Sequence, residues 1–213
     1  MGGVVSILGS GSNVSVRHIK TYEDLSGIIR ACRMLGKKII LTSGTFDLLH
    51  IGHGRYFESA RKSAGVDPDN IVLVVGVDSD AKVRSRKGPN RPIVPEDERV
   101  EMLCHIRHVD IVFIKGEKDL HWQLIKTVRP DVLIISERSK YNDDELEQLK
   151  EFCGSVVVLE SQAVTSTSAK IRRLLVGVAE DVKKKIDVVE RTMSEEFNRF
   201  RQIVDELLGG GEK

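Results

Sequence analysis

The chain has 213 residues, 40% of them apolar and 31% charged, a composition that excludes a membrane-spanning or disordered protein and leaves room for one core with an appended helical element. Its 33 Lys and Arg stand against 32 Asp and Glu, so no overall positive field draws in a nucleic acid backbone, and nucleic acid is not an expected partner. Cys32, Cys104 and Cys153 are far apart without a CxxC pair, which suggests neither a disulfide framework nor a zinc site and fits a cytoplasmic setting. From the amino terminus, residues 1–15 are rich in Gly and Ser, do not resemble a secretory leader, and are expected to form a flexible arm. Thr21 to Leu35 places Leu25, Ile28, Ile29 and Cys32 on one helical face, and Lys38 to Thr42 follows as a short strand. Gly54 to Ala64 has helical spacing, and Ile71 to Val77 is apolar on both faces, the mark of a strand inside a parallel sheet. Pro95 opens a helix with acidic residues in its first turn that runs to His108, before a strand at Ile111 to Ile114. Helix Leu120 to Val128, strand Asp131 to Ile135, helix Asp143 to Cys153 and strand Val156 to Leu159 complete the alternation. No apolar run approaches the roughly 20 residues that cross a bilayer, and no membrane partner is expected.

Strands alternating with helices predict an α/β fold: a doubly wound, Rossmann-like, mostly parallel sheet of about five strands, with a C-terminal helical extension. The expected organisation is an arm at 1–15, a main domain at 16–175, a helical extension at 176–208 and a disordered tail at 209–213. In such a sheet ligands sit at the carboxyl ends of the strands, and the first of these ends opens into Ser43-Gly44-Thr45-Phe46-Asp47-Leu48-Leu49-His50-Ile51-Gly52-His53. Gly44 permits close backbone approach to a ligand, and the amides of the following helix start suit phosphate oxygens. His50 and His53 can converge on one phosphate and stabilise charge that develops on it and on a pyrophosphate leaving group. The same two residues also fit ordinary helix-start histidines or metal ligands. Asp80, near the carboxyl end of the second strand, would orient substrate or metal, or else cap the turn that follows it.

Thr42 to His53 resembles the cytidylyltransferase-like nucleotidyltransferases, whose hallmark is TxGxFDxxHxGH directly after the first strand. Two further elements match in order: Lys87 upstream of Pro95-Glu96-Asp97-Glu98-Arg99, and the Ser/Thr-rich turn Thr165-Ser166-Thr167-Ser168-Ala169-Lys170-Ile171-Arg172. The resemblance covers about Lys38 to Leu175 and implies transfer of a nucleoside monophosphate from an NTP to a phosphorylated small molecule. It assigns catalysis to His50, His53, Lys87 and Arg99, and substrate binding to Asp80, Lys87 and Arg99. Nucleotide binding falls to Gly44, Thr45, Phe46, Asp47, His50, Gly52, His53, Ser136, Glu137, Arg138, Thr167, Ser168 and Arg172. Mg2+ is expected to arrive with the NTP rather than at a protein-only site. Taken alone, Lys87 also reads as a solvated lysine in a basic loop, and Arg99 as a helix-surface arginine.

The chain departs from the family pattern in two places. Ser136-Glu137-Arg138-Ser139-Lys140-Tyr141 stands where members often carry a Gly-Asp element, and Glu160-Ser161-Gln162-Ala163 stands where glycerol-phosphate cytidylyltransferases usually place an Arg. Lys87 to Pro95 is similar to heptose 1-phosphate adenylyltransferases, and Lys87-Gly88-Pro89 also to ethanolamine-phosphate cytidylyltransferases, so ATP with a sugar phosphate and CTP with a phospho-alcohol both stand. Two other classes enter: a non-catalytic nucleotide sensor, against which the intact histidines argue, and a class I aminoacyl-tRNA synthetase fragment, against which the lack of a KMSKS-like segment argues. Beyond Arg172, apolar residues from Leu174 to Leu207 recur at helical spacing and would pack on the same domain or form a homodimer seam.

Overall fold

The computed structural model describes residues 13–137, 141–162 and 167–209. Strands β1 (His18–Ile19), β2 (Lys38–Gly44), β3 (Ile71–Asp78), β4 (Ile111–Lys115), β5 (Val132–Ser136) and β6 (Ser155–Leu159) form one sheet. Their order is β1-β4-β3-β2-β5-β6 and every pairing is parallel. The helices are α1 (Val14–Arg17), α2 (Tyr22–Met34), α3 (Ile51–Lys62), α4 (Asp80–Lys87), α5 (Glu96–Cys104), α6 (Gln123–Val128), α7 (Asp143–Leu149) and α8 (Thr167–Gly209). The doubly wound α/β expectation holds, with a sixth strand where about five were expected, because β1 is only two residues long and too short to show a period.

Side-chain alternation explains the two layers of core. Ile39, Leu41, Val72 and Val74 point to one face and meet Leu25, Ile29 and Cys32 of α2. Ile40, Leu73, Val75 and Val77 point to the other and meet Phe57 and Ala60 of α3 with Val100 and Leu103 of α5. With both faces covered, β3 is buried along its whole length, which is why it reads as an unbroken apolar run. Thr21 starts α2 by accepting the Asp24 amide at 3.1 Å.

The chain runs from β2 to β3 to β4 in one direction across the sheet and then returns to β5 on the far side of β2. That reversal opens a crevice at the carboxyl ends of β2 and β5, the place where such sheets bind ligands. The chain divides into two compact units, Met1–Ser166 and Thr167–Lys213. The second contains α8, a single helix of 43 residues. No helix among the described residues is long and apolar enough to cross a membrane.

Candidate active site

β2 delivers the chain into a tight turn before α3. Thr42 Oγ1 lies 2.8 Å from the Tyr56 hydroxyl, and burial pushes the Tyr56 phenol up to about 12 against the opposing effect of that hydrogen bond. Phe46 and Leu48 both adopt left-handed backbone, φ 52° and 49°, on either side of Asp47. Residues with a Cβ seldom take this conformation, so the surrounding contacts must hold the turn. One such contact is the Phe46 ring, buried 5.2 Å from Phe57 and edge-on to His53 at 5.7 Å. A Cβ on Gly44 would sit 3.2 Å from Phe46 Cζ, so glycine is what lets the ring fold back over the strand end.

The two histidines lock each other. His50 caps α3, its Nδ1 accepting the Gly52 amide at 3.1 Å, while His53 Nδ1 accepts the His50 amide at 3.2 Å. An imidazole nitrogen that accepts a hydrogen bond carries no proton, so this network assigns the N–H of each neutral ring to Nε2. The ring centroids are 4.1 Å apart with planes inclined by 33°. Two Nε2–H donors are thereby fixed together at the positive end of a 12-residue helix, an arrangement suited to anionic oxygen.

Asp47 ties this turn to the segment after α4. Its carboxylate accepts the Ile93 and Val94 amides at 3.0 Å and pairs with Arg91 at 2.7 Å. Arg99 lies beneath. It is 1% exposed, and its guanidinium donates to the Val94 carbonyl at 2.9 Å, the Thr45 carbonyl at 2.6 Å and Asp80 Oδ1 at 2.7 Å. The alternative of a helix-surface arginine therefore falls. A side chain with no solvent face, donating to three protein acceptors, holds the Thr45 backbone in place. Asp80 is the partner of Arg99, and the cap of α4 is Ser79, whose Oγ accepts the Lys82 amide at 3.2 Å, so the capping alternative for Asp80 also falls.

Lys87 does reach the turn, donating to Thr45 Oγ1 at 3.0 Å. Burial, then the nearby Arg86 and Arg91, pull its ammonium below the ordinary lysine range. Beside it Asp78, buried at the end of β3, pairs with Arg86 and with Lys115, whose Nζ is 3.0 Å from Oδ1. Burial pushes the Asp78 carboxyl up, but Lys115, Arg86 and Lys82 outweigh it and hold it below the usual carboxylate range. For Lys115 burial wins, and its ammonium is lowered despite Asp78. The result is a turn rimmed by cations at the carboxyl ends of β2, β3 and β4.

The model of the cytidylyltransferase-like family matches residues 41–175, which contain this turn, the cation cluster and the crevice. The chain belongs to the cytidylyltransferase-like family. Bifunctional protein HldE of Aliarcobacter butzleri is 33% identical over 155 residues, covering 73% of this chain and 31% of that protein. Its counterpart in Geobacter metallireducens is 43% identical over 131 residues, covering 62% and 25%. The chain thus spans about a quarter to a third of the length of the curated relatives it matches. A solved structure described as the lipopolysaccharide core biosynthesis protein from Thermoplasma volcanium superposes with a TM-score of 0.51 at 26% identity, covering 59% of this chain and 98% of that one.

In this member of the cytidylyltransferase-like family, Gly44, Thr45, Phe46, Asp47, His50, Gly52 and His53 come together in one turn, with Lys87 beside them. Ser136 ends β5 on the other side of the crevice, and Glu137 follows, accepting the Ser161 amide at 2.9 Å. Arg138 lies outside the described residues. Thr167, Ser168 and Arg172 occupy the first turns of α8. Sequence reading missed Asp78, Arg86, Arg91 and Lys115 as site residues. The one available signal was Asp78 interrupting an apolar strand at its carboxyl end.

Proposed function

We propose that the chain is a nucleotidyltransferase that moves a nucleoside monophosphate from an NTP to a phosphorylated small molecule and releases pyrophosphate. The observation that carries this reading is the locked His50–His53 pair, two Nε2–H donors at a helix start beside the cationic rim. A phosphate oxygen of the acceptor attacks the α-phosphorus in line. The bond to the bridging oxygen breaks, and its electron pair leaves with pyrophosphate. No covalent intermediate on the protein is required, so the work is positioning and charge neutralisation.

His50 and His53 donate to the phosphate oxygens where charge develops, and the α3 amides support them. Lys87 takes the acceptor's phosphate. Its lowered affinity for a proton reflects a partly desolvated ammonium among other cations, an environment that an incoming anion relieves. The family resemblance further implies that Thr167, Ser168 and Arg172 meet the β and γ phosphates, and that Ser136, Glu137 and Arg138 meet the base. Asp80 and Arg99 act as positioning residues under Thr45. Asp78 and Asp80 are paired with cations, and Asp47 with Arg91 and two amides. These carboxylates therefore fit no protein-held metal, and Mg2+ would enter on the triphosphate and help neutralise it. The resemblance of Lys87 to Pro95 to heptose 1-phosphate adenylyltransferases favours ATP and a sugar 1-phosphate, acting in the cytoplasm.

The test is pyrophosphate release with ATP, CTP, GTP and UTP against heptose 1-phosphate, other sugar phosphates, glycerol 3-phosphate and ethanolamine phosphate, with Mg2+ present. Release with ATP and a sugar phosphate, lost in His53→Ala, is the expected result. Release only with CTP and a phospho-alcohol would replace the acceptor class. Nucleotide binding without release from any pair would favour a sensor.

A further inference from the structure

α8 carries an apolar pattern whose period the transfer reaction does not use. Ile171, Val182, Met193 and Val204 recur every eleven residues, as do Leu175, Ile186, Phe197 and Leu208, and as do Val178, Val189 and Phe200. Every position of these three interleaved series is apolar. Eleven residues close three helical turns at about 3.67 residues per turn, so the series stay on one face of the helix. Lys184, Arg191 and Glu195 fall on the opposite face. Along this face Leu175, Val178, Met193, Phe197 and Phe200 are 62–67% exposed.

We infer that α8 pairs with α8 of a second copy of this chain along the 11-residue stripe, as a two-stranded coil with the right-handed supercoil such a repeat imposes. Three arguments select a second copy over other occupants. A helix that packs on a globular surface meets different neighbours along its length, whereas a strict repeat makes each layer equivalent and complements a partner with the same repeat. The size also fits. From Ile171 to Leu208 the stripe is about 56 Å long at ~1.5 Å per residue and, at a width of roughly 10 Å, two of them bury about 1,100 Å2, past the ~1,000 Å2 of a specific interface. Finally, α8 holds nine Lys and Arg against eight Asp and Glu, a balance unlike the basic polar face that binds anionic lipid.

The experiment is sedimentation equilibrium on the full chain at micromolar concentration. Wild type should be dimeric. Ile186→Glu/Val189→Glu should raise the dimer dissociation constant by roughly 100-fold or more, since charges would be buried in the seam. Lys184→Glu/Arg191→Glu, on the opposite face, should leave it unchanged. Because glutamates could instead unfold α8, a second measurement stands apart. Val189 lies midway along the stripe and meets its own counterpart whether the helices run parallel or antiparallel. In a Cys153→Ser background, Val189→Cys should form a disulfide-linked dimer on mild oxidation, and Arg191→Cys should not. A monomeric wild type would overturn the inference, as would a dimer that survives the stripe substitutions or equal cross-linking from both cysteines.

Discussion

His50 caps α3 and, in the proposed reaction, also donates to phosphate, two tasks that substitution can separate. His50→Ala removes both the cap of α3 and an Nε2–H donor, so it should cost about 1 kcal/mol of stability and lower turnover by roughly 100-fold. His50→Asn restores a capping side chain without the distal donor. Thermal melting should then return to near wild type while pyrophosphate release stays low, and recovery of turnover would reduce His50 to a cap. Asp78 and Lys115 permit a second test. Lys115→Met leaves a buried carboxylate with less compensation and should destabilise the fold by about 3 kcal/mol, whereas Asp78→Asn/Lys115→Met should recover most of that in denaturant melts. The Asp78 carboxyl is held below its ordinary value of 3.8, so its contribution is complete above pH 3.8 and is lost as pH falls through the lower folded value. Wild type should therefore lose stability more steeply below pH 3.8 than Asp78→Asn. The histidines were legible because they sit in one contiguous turn. Asp78 and Lys115 were not, because only the parallel pairing of β3 with β4, which sets these two residues side by side, brings them together.

At the scale of elements, most strands and helices were readable, the five-residue β4 and β6 included, and the exceptions were the short α1 and β1 and the polar α4. β3 announced itself as an apolar run, and α2 through Thr21 and its apolar face. β1 spans two residues, less than one full repeat of any pattern. α4 was read as no more than a turn, because its Arg- and Lys-rich sequence buries only Val83 and shows no apolar face. α3 begins at Ile51 rather than Gly54, since the cap is a histidine, a residue outside the usual capping set. The entry to β6 depends on a close approach: a Cβ on Gly154 would lie 2.6 Å from the Asp131 carbonyl oxygen. Backbone cannot swing aside as a side chain can, so Gly154→Ala should cost about 1–3 kcal/mol by prising β6 from β5. Chemical denaturation measures it, and a neutral substitution would mean that the strand end yields.

For the molecule as a whole, the near-zero net charge of +1 conceals a local concentration of cations around Thr45. Salt should therefore act on the site rather than on diffusion-driven encounter. Screening length falls from about 10 Å to 3 Å between 0.1 M and 1 M salt, so KM for the triphosphate should rise over that range while kcat changes little. Initial rates against salt test this, and a kcat that fell with KM unchanged would contradict it. Asp47 has a further consequence. One carboxylate grips both the segment from Arg91 to Val94 and the turn that carries His50 and His53. In the proposed reaction a ligand that shifts one segment would pull on the other, so the two substrates should be thermodynamically linked. Whatever factor the first lends to the affinity of the second, the second must return.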